Sequence, residues 1–158
     1  EALDKKKYNV TTYDPSDGLD FLLKNRTFID LAFVLLHGRF GEDGCIQGLL
    51  NILNIPYVGS DVTASAMASN KRIAKDIYKL AGLDTIQDIV IKKGDAFSLS
   101  QITDTLGEKT IVKPISEGSS FGISVCNNQE ELENGIKSTF SFENEIMIEK
   151  FITGQSYP

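Results

Sequence analysis

Residues 110–125, TIVKPISEGSSFGISV, combine a lysine inside an apolar strand pattern with a turn rich in glycine and serine. Lys113 alternates onto the same strand face as Ile111 and Ile115, where an ammonium group is costly to bury without an anion. The glycines that follow allow a tight turn, and the hydroxyls and successive N–H groups can line a phosphate cradle. The segment that could form this cradle is Glu-Gly-Ser-Ser-Phe-Gly, residues 117–122.

Neither the P-loop pattern nor GxGxxG occurs in the chain, so residues 110–125 predict a different kind of nucleotide loop. The alternative is a polar hairpin turn beside a lysine whose stem is buried and whose ammonium reaches water. Spacing alone gives both interpretations about equal weight.

Residues 145–152, EIMIEKFI, place one charge amid apolar groups on each face of a strand. One face carries Met147, Glu149 and Phe151, and the other carries Ile146, Ile148 and Lys150. This pattern is typical of an adenine pocket. There, apolar groups sandwich the ring, a carboxylate accepts from its exocyclic amine, and backbone groups bind the ring nitrogens. Alternatively, Glu149 and Lys150 mark the fraying end of the strand.

His37 follows a buried strand directly, in LLHGRFGEDG, and open α/β sheets bind ligands at that end of their strands. A lone histidine is more often a hydrogen-bonded structural group, so residue type and position together give ligand contact and a structural role about equal weight. Arg39, Glu42 and Asp43 in the same loop indicate a solvated turn and a helix start. Lys71, in ASNKRIAK, is an ordinary exposed helix lysine on composition alone.

The elements that must position these residues fall into two groups. Before residue 70, the pattern predicts strands at 8–13, 30–36 and 55–60, the second covered on both faces. Three helices are predicted in this part. The first covers 18–25, the second follows the acids of GEDG and ends at Pro56, and the third runs from Ser60, its N-cap, to about Met67. This alternation is typical of a doubly wound parallel α/β lobe, with residues 1–69 forming the N-terminal, substrate-side domain.

Residues 70–158 are expected to form a second lobe, α+β in class with a mostly antiparallel sheet. Helices are predicted at 70–81, with Gly82 as its stop, at 98–106, and at 129–140 after Asn128 and Glu131. Strands are predicted at 87–91, 109–115, 123–126 and 145–152.

Composition limits the classes of partner. The 158 residues are 41% hydrophobic, which is enough for one modest core or two small ones, and the net charge is -6. No basic stripe is available for nucleic acid or an anionic membrane. The longest apolar run, 31–36, is far below the roughly 20 residues of a membrane span. Cys45 and Cys126 are expected to be reduced packing residues.

Three ordered segments resemble the D-alanine–D-alanine ligase family of the ATP-grasp superfamily: HG-x-x-GEDG-x-x-QG with IPY-x-GS, then VKP with its Gly-Ser loop, then IEKFITG. The similarity runs from about residue 8 to residue 154. It implies that Lys71 and Lys113 contact ATP phosphates under a flexible loop, and that the inter-lobe adenine strand follows. The loop is Glu117, Gly118, Ser119 and Ser120, and the adenine strand is Glu149, Lys150, Phe151 and Ile152. His37 would hold the first D-alanine, and Ser119 would orient substrate catalytically.

In that family, one D-alanine carboxylate attacks the γ-phosphate of ATP, and the amine of a second D-alanine attacks the acylphosphate. The resemblance further implies a cytoplasmic enzyme of peptidoglycan synthesis, homodimeric at full length, with ligands for Mg²⁺ or Mn²⁺ outside this chain.

The family's first strand and C-terminal catalytic lobe are expected to be absent, so the 158 residues alone should be inactive. Asn70 replaces an aspartate, and Ser156 stands where an acid meets the ribose. The alternatives are a D-alanine–D-lactate or D-serine ligase, or a non-catalytic nucleotide-binding remnant.

Overall fold

A computed structural model describes residues 3–4, 6–118 and 122–154. The first part contains helices α1 (Asp20–Asn25), α2 (Cys45–Ile52) and α3 (Val62–Ser69), with 3-10 turns at Pro15–Asp17 and Arg26–Phe28. Strands β1 (Ala32–Phe33) and β2 (Tyr57–Val58) pair in parallel. Their core consists of Leu22, Ile46, Leu50, Leu53 and Ile55.

The second part begins with helix α4 (Lys71–Leu80) and contains α5 (Leu99–Leu106) and α6 (Gln129–Thr139). Its strands are β3 (Asp88–Lys92), β4 (Thr110–Pro114), β5 (Ser124–Cys126) and β6 (Glu145–Lys150). They form an antiparallel sheet in the order β3-β6-β4-β5. The predicted fold class, a parallel α/β lobe followed by a mostly antiparallel α+β lobe, is confirmed.

The central sheet buries one face against α5 and α6. Ile146 and Ile148 of β6 and Val112 of β4 project there and meet Leu132 and Ile136 of α6. Local capping explains where these helices begin: the Ser98 and Asn128 side chains accept from the backbone N–H groups three residues later. Within the described residues, no helix combines the length and apolar character required to cross a membrane.

Four expectations for the first part and for the cysteines are wrong. Residues 8–13 form no strand, because no neighbouring strand pairs with them. β1 spans two residues only, and one side of its apolar run is uncovered: Leu31, Phe33 and Leu35 are exposed. Asp61, rather than Ser60, caps α3 by accepting from the N–H of Ala64. Cys126 lies in the central core as expected, but Cys45, at the start of α2, is exposed.

Gly44 joins the loop after β1 to α2 in a conformation that other residues rarely adopt. Its φ is 91°, and a Cβ there would lie 2.7 Å from the backbone oxygen of Val62. We expect Gly44→Ala to lower the free energy of unfolding by about 2 kcal/mol, because left-handed backbone strain and the clash add. Urea denaturation measures this change. Gly48→Ala is the control, since its nearest contact is 3.9 Å away and alanine favours the helix. An unchanged midpoint for Gly44→Ala would show that the prediction is wrong.

Candidate functional site

Helix α4 brings Lys71 to the end of strand β4. The Asn70 side chain caps the helix by accepting from the N–H of Ile73 at 3.0 Å. The N–H of Lys71 donates to the carbonyl of Ile115 at 3.1 Å, which fixes the first turn of α4 against the residue after β4. The Lys71 ammonium donates to the carbonyls of Glu117 and, at 3.4 Å, Ile115. The two predicted phosphate-binding segments therefore meet.

Helix α4 contacts the second face of the central sheet through its basic side. Arg72 pairs with Glu145 at 2.6 Å, and Lys75 pairs with Glu149 at 2.7 Å and Asp88 at 2.8 Å. The apolar side of the helix, made of Ile73, Ile77 and Leu80, is exposed. Ion pairs thus hold α4 on the sheet.

Lys113 and Glu149 form an ion pair between neighbouring strands on this second face. The anion that the sequence required for Lys113 is therefore present within the chain. Glu149 is only 5% exposed, and its strand pairs with β3 on one side and β4 on the other. The alternative in which Glu149 marks a fraying strand end is wrong, because both neighbours hold the strand at this residue.

The ammonium of Lys71 carries a charge that no described carboxylate pairs within 4 Å. Burial lowers the pKa of Lys71, and repulsion from Lys113 lowers it further. More distant carboxylates offset this in part; they belong to Glu143, Glu117 and Glu149. Two cations that repel each other in this way favour a polyvalent anion, whose charge relieves the repulsion.

The glycine-rich loop is fixed at its start by Glu143. The Glu143 carboxylate accepts from the N–H of Ser116 at 3.0 Å and from its hydroxyl at 2.6 Å. Glu117 and Gly118 follow and are half-buried. Ser119 and Ser120, including the predicted catalytic role of Ser119, lie outside the described residues, as does Ser156.

The loop of His37 lies beside the glycine-rich loop. A Cβ at Gly118 would be 3.7 Å from Oε2 of Glu42, and the same oxygen accepts from the N–H of Gly38 at 2.7 Å. Nδ1 of His37 is 3.6 Å from Oε1 of Glu42, and the imidazole is mostly exposed. The structure therefore brings His37 close to the residues that follow Lys113.

Asp43 organises the turn before α2 and is only half-buried. Its carboxylate accepts from the N–H groups of Phe40 at 2.9 Å and Cys45 at 3.0 Å. Burial opposes ionisation, but these backbone hydrogen bonds outweigh it and lower the pKa of Asp43. Asp43 thus has a structural role at the start of the helix.

The remaining residues of the predicted adenine strand lie at its exposed end. β6 ends at Lys150, whose N–H donates to the carbonyl of Gln87. Phe151 donates its N–H to Lys109, whose ammonium lies 4.1 Å from the centre of the phenyl ring. Ile152 follows and is exposed. The strand is two residues shorter than predicted.

Sequence reasoning missed Lys75, Asp88 and Glu143. A signal existed for Lys75, because it lies four residues after Lys71 and therefore on the same helix face. No local signal pointed to Asp88 or Glu143, since their partners are distant in sequence. No three His, Cys, Asp or Glu side chains in residues 3–4, 6–118 and 122–154 are grouped to hold a metal ion.

Comparisons with known proteins give one family. The family described as "D-ala D-ala ligase N-terminus" matches residues 1–60, and "D-ala D-ala ligase C-terminus" matches residues 63–157. The D-alanine–D-alanine ligase of Syntrophobacter fumaroxidans is 42% identical over 153 residues, which is 97% of this chain and 49% of that protein. The ligase of Desulfotalea psychrophila is 44% identical over 154 residues, 97% of this chain and 48% of that protein.

The fold agrees with solved structures of these enzymes. The D-alanine–D-alanine ligase of Bacillus anthracis in complex with ATP superposes with a TM-score of 0.80 at 34% identity, over 96% of this chain and 50% of that one. The chain thus spans about half the length of its relatives. Two matching domains, in order and over nearly every residue, show that the chain belongs to the D-alanine–D-alanine ligase family.

Proposed function

We propose that this chain carries the ATP site of a ligase that joins two D-alanines. The observation that carries the proposal is the position of the Lys71 ammonium. It donates to the carbonyls of Ile115 and Glu117, just beyond Lys113 and strand β4, and no carboxylate of the described residues pairs with it within 4 Å. A triphosphate supplies the negative charge that this arrangement lacks. Membership of the ligase family, and a relative whose structure was solved with ATP, support the choice of nucleotide.

In the proposed complex, Lys71 and Lys113 bind ATP phosphates and stabilise the charge that develops as the γ-phosphoryl group transfers. The loop of Glu117, Gly118, Ser119 and Ser120 covers them. Backbone N–H groups in such a turn suit phosphate oxygens. The position of Gly118 beside the Lys71 partners Ile115 and Glu117 supports this role.

Adenine is proposed to lie at the end of β6. In this proposal Glu149 provides a carboxylate, Lys150 provides backbone groups, and Phe151 and Ile152 provide apolar surface. Phe151 and Ile152 are at least partly accessible, which leaves apolar surface available to a ring. The Glu149 carboxylate has four lone-pair positions, so its two lysine partners leave room for one more donor.

The D-alanine site is proposed to include His37, with Ser119 orienting the substrate. The first D-alanine carboxylate attacks the γ-phosphate of ATP and displaces ADP, which gives an acylphosphate. The amine of the second D-alanine then attacks the acyl carbon, and inorganic phosphate leaves as the amine loses a proton and the amide bond forms. Positioning accounts for much of such a reaction. The short distance between the His37 loop and Gly118 supports a site in which amino acid and phosphate meet.

Other features of the whole enzyme are also proposed. The product, D-alanyl-D-alanine, serves peptidoglycan synthesis in the cytoplasm, and the full-length protein is a homodimer. The boundary between the substrate-side and ATP-binding domains lies near residue 70. Mg²⁺ or Mn²⁺ would be bound by residues outside this chain, a role suggested by membership of the ligase family.

The test is a ligation assay on the full-length protein with ATP, magnesium and D-alanine. We expect D-alanyl-D-alanine and one phosphate per peptide bond. D-lactate and D-serine are offered as competing second substrates, and preference for either would replace D-alanine in that role. ATP binding without any ligation would favour a nucleotide-binding remnant.

A further inference from the structure

Lys75 is the most deeply buried cation of the second sheet face. It lies on α4, is 8% exposed, and contacts three acceptors: Oε1 of Glu149 at 2.7 Å, Oδ1 of Asp88 at 2.8 Å, and the carbonyl of Ile86. A lysine ammonium has three N–H donors. All three donors of Lys75 are therefore used by the protein, and none remains for a phosphate.

Lys71 and Lys113 differ from Lys75 in this respect. Lys71 donates to two carbonyl oxygens, and Lys113 donates to one carboxylate oxygen among the described residues. Each therefore keeps at least one donor for a ligand. Lys71 and Lys113 can therefore bind phosphate directly, whereas Lys75 can act only through its neighbours.

Glu149 connects Lys75 to Lys113. Its Oε1 accepts from Lys75 and its Oε2 from Lys113, so the two lysines share a single negative charge. If Lys75 were neutral, Glu149 would pair with Lys113 alone and would compete with phosphate for that ammonium. In a buried site the competition is strong, because the local dielectric is low.

We propose that Lys75 is a positioning residue for ATP phosphates: it engages Glu149 so that this carboxylate orients Lys113 without cancelling its charge. The inference rests on the proposed function. In this proposal Lys75 does not bind the nucleotide itself, because its three donors are already used. Its effect reaches ATP through one carboxylate, and removal of that carboxylate's charge should therefore remove the effect.

The experiment measures dissociation constants of ATP, and separately of inorganic tripolyphosphate, for the full-length protein by calorimetry. Lys75→Met should weaken both by about tenfold, which corresponds to roughly one buried charge interaction. Lys79→Met is the matched control, because Lys79 lies one turn further along α4 and reaches Asp88 at 3.5 Å without a salt bridge to Glu149 among the described residues. Its ATP affinity should stay within about twofold of wild type.

The decisive variant is the double substitution Lys75→Met with Glu149→Gln. We expect its affinity for ATP to match that of Glu149→Gln alone within about twofold, because no carboxylate remains to neutralise Lys113. A purely structural lysine would instead weaken binding equally in both backgrounds, which would overturn the inference. This comparison remains valid if Lys75→Met alone folds poorly.

Failure of wild-type protein to bind ATP would overturn the proposed function, and the inference with it. Equal binding by wild type and Lys75→Met would overturn only the inference.

Discussion

Lys113→Met in the full-length protein should lower kcat/KM for ATP-dependent ligation by about a hundredfold or more. Lys113 provides a cation where phosphoryl charge develops, and methionine keeps the length of the side chain while removing that charge. The fold should survive, because Glu149 retains its pair with Lys75 at 2.7 Å. A coupled assay of phosphate release over a range of ATP concentrations measures the loss.

Lys137→Met is the control for this substitution. Lys137 lies on the outer side of α6, where it pairs with Glu133 one turn away, and it is remote from the proposed site. Its turnover should equal that of wild type, since exposed pairs contribute little to stability. Near-normal turnover of Lys113→Met, with an unchanged melting temperature, would contradict the role assigned to this lysine.

Ile148→Ala should lower the free energy of unfolding by about 2–5 kcal/mol. Ile148 is fully buried in β6, the strand between β3 and β4, and its register partners are Ile89 and Val112. Alanine leaves a cavity in a core that α5 and α6 cover. Chemical denaturation followed by circular dichroism measures the change.

Val125→Ala is the matched comparison, because Val125 is a branched residue on the edge strand β5 and is 47% exposed. It should cost less than about 1 kcal/mol. Equal losses for the two variants would show that the sheet does not bury Ile148 as described.

The second part of the fold could be predicted closely because its signals are local. Gly82, with a φ of 75°, follows α4, and the capping residues Ser98 and Asn128 mark the starts of α5 and α6. Strand bounds differed by at most one residue, except that β6 ended two residues early. The first part was predicted less well, since residues 8–13 have strand propensity but no partner, and propensity alone does not form a sheet.

The site was only partly accessible to sequence reasoning. The need of Lys113 for an anion was visible from strand alternation, but its partner Glu149 lies 36 residues away. Ile73, Ile77 and Leu80 share one side of α4, yet the structure packs the side that carries Arg72 and Lys75. Tertiary ion pairs decided that orientation, and helical periodicity contains no information about them.

The most direct test of the central claim is lysine reactivity toward acetic anhydride, quantified residue by residue by mass spectrometry, with and without ATP. Lys71 should react readily without ATP, because its lowered pKa leaves more neutral amine. Saturating ATP should suppress acetylation of Lys71 and Lys113 and leave the exposed Lys79 unchanged. Equal acetylation of Lys71 and Lys113 with and without bound ATP would contradict a phosphate site between α4 and β4.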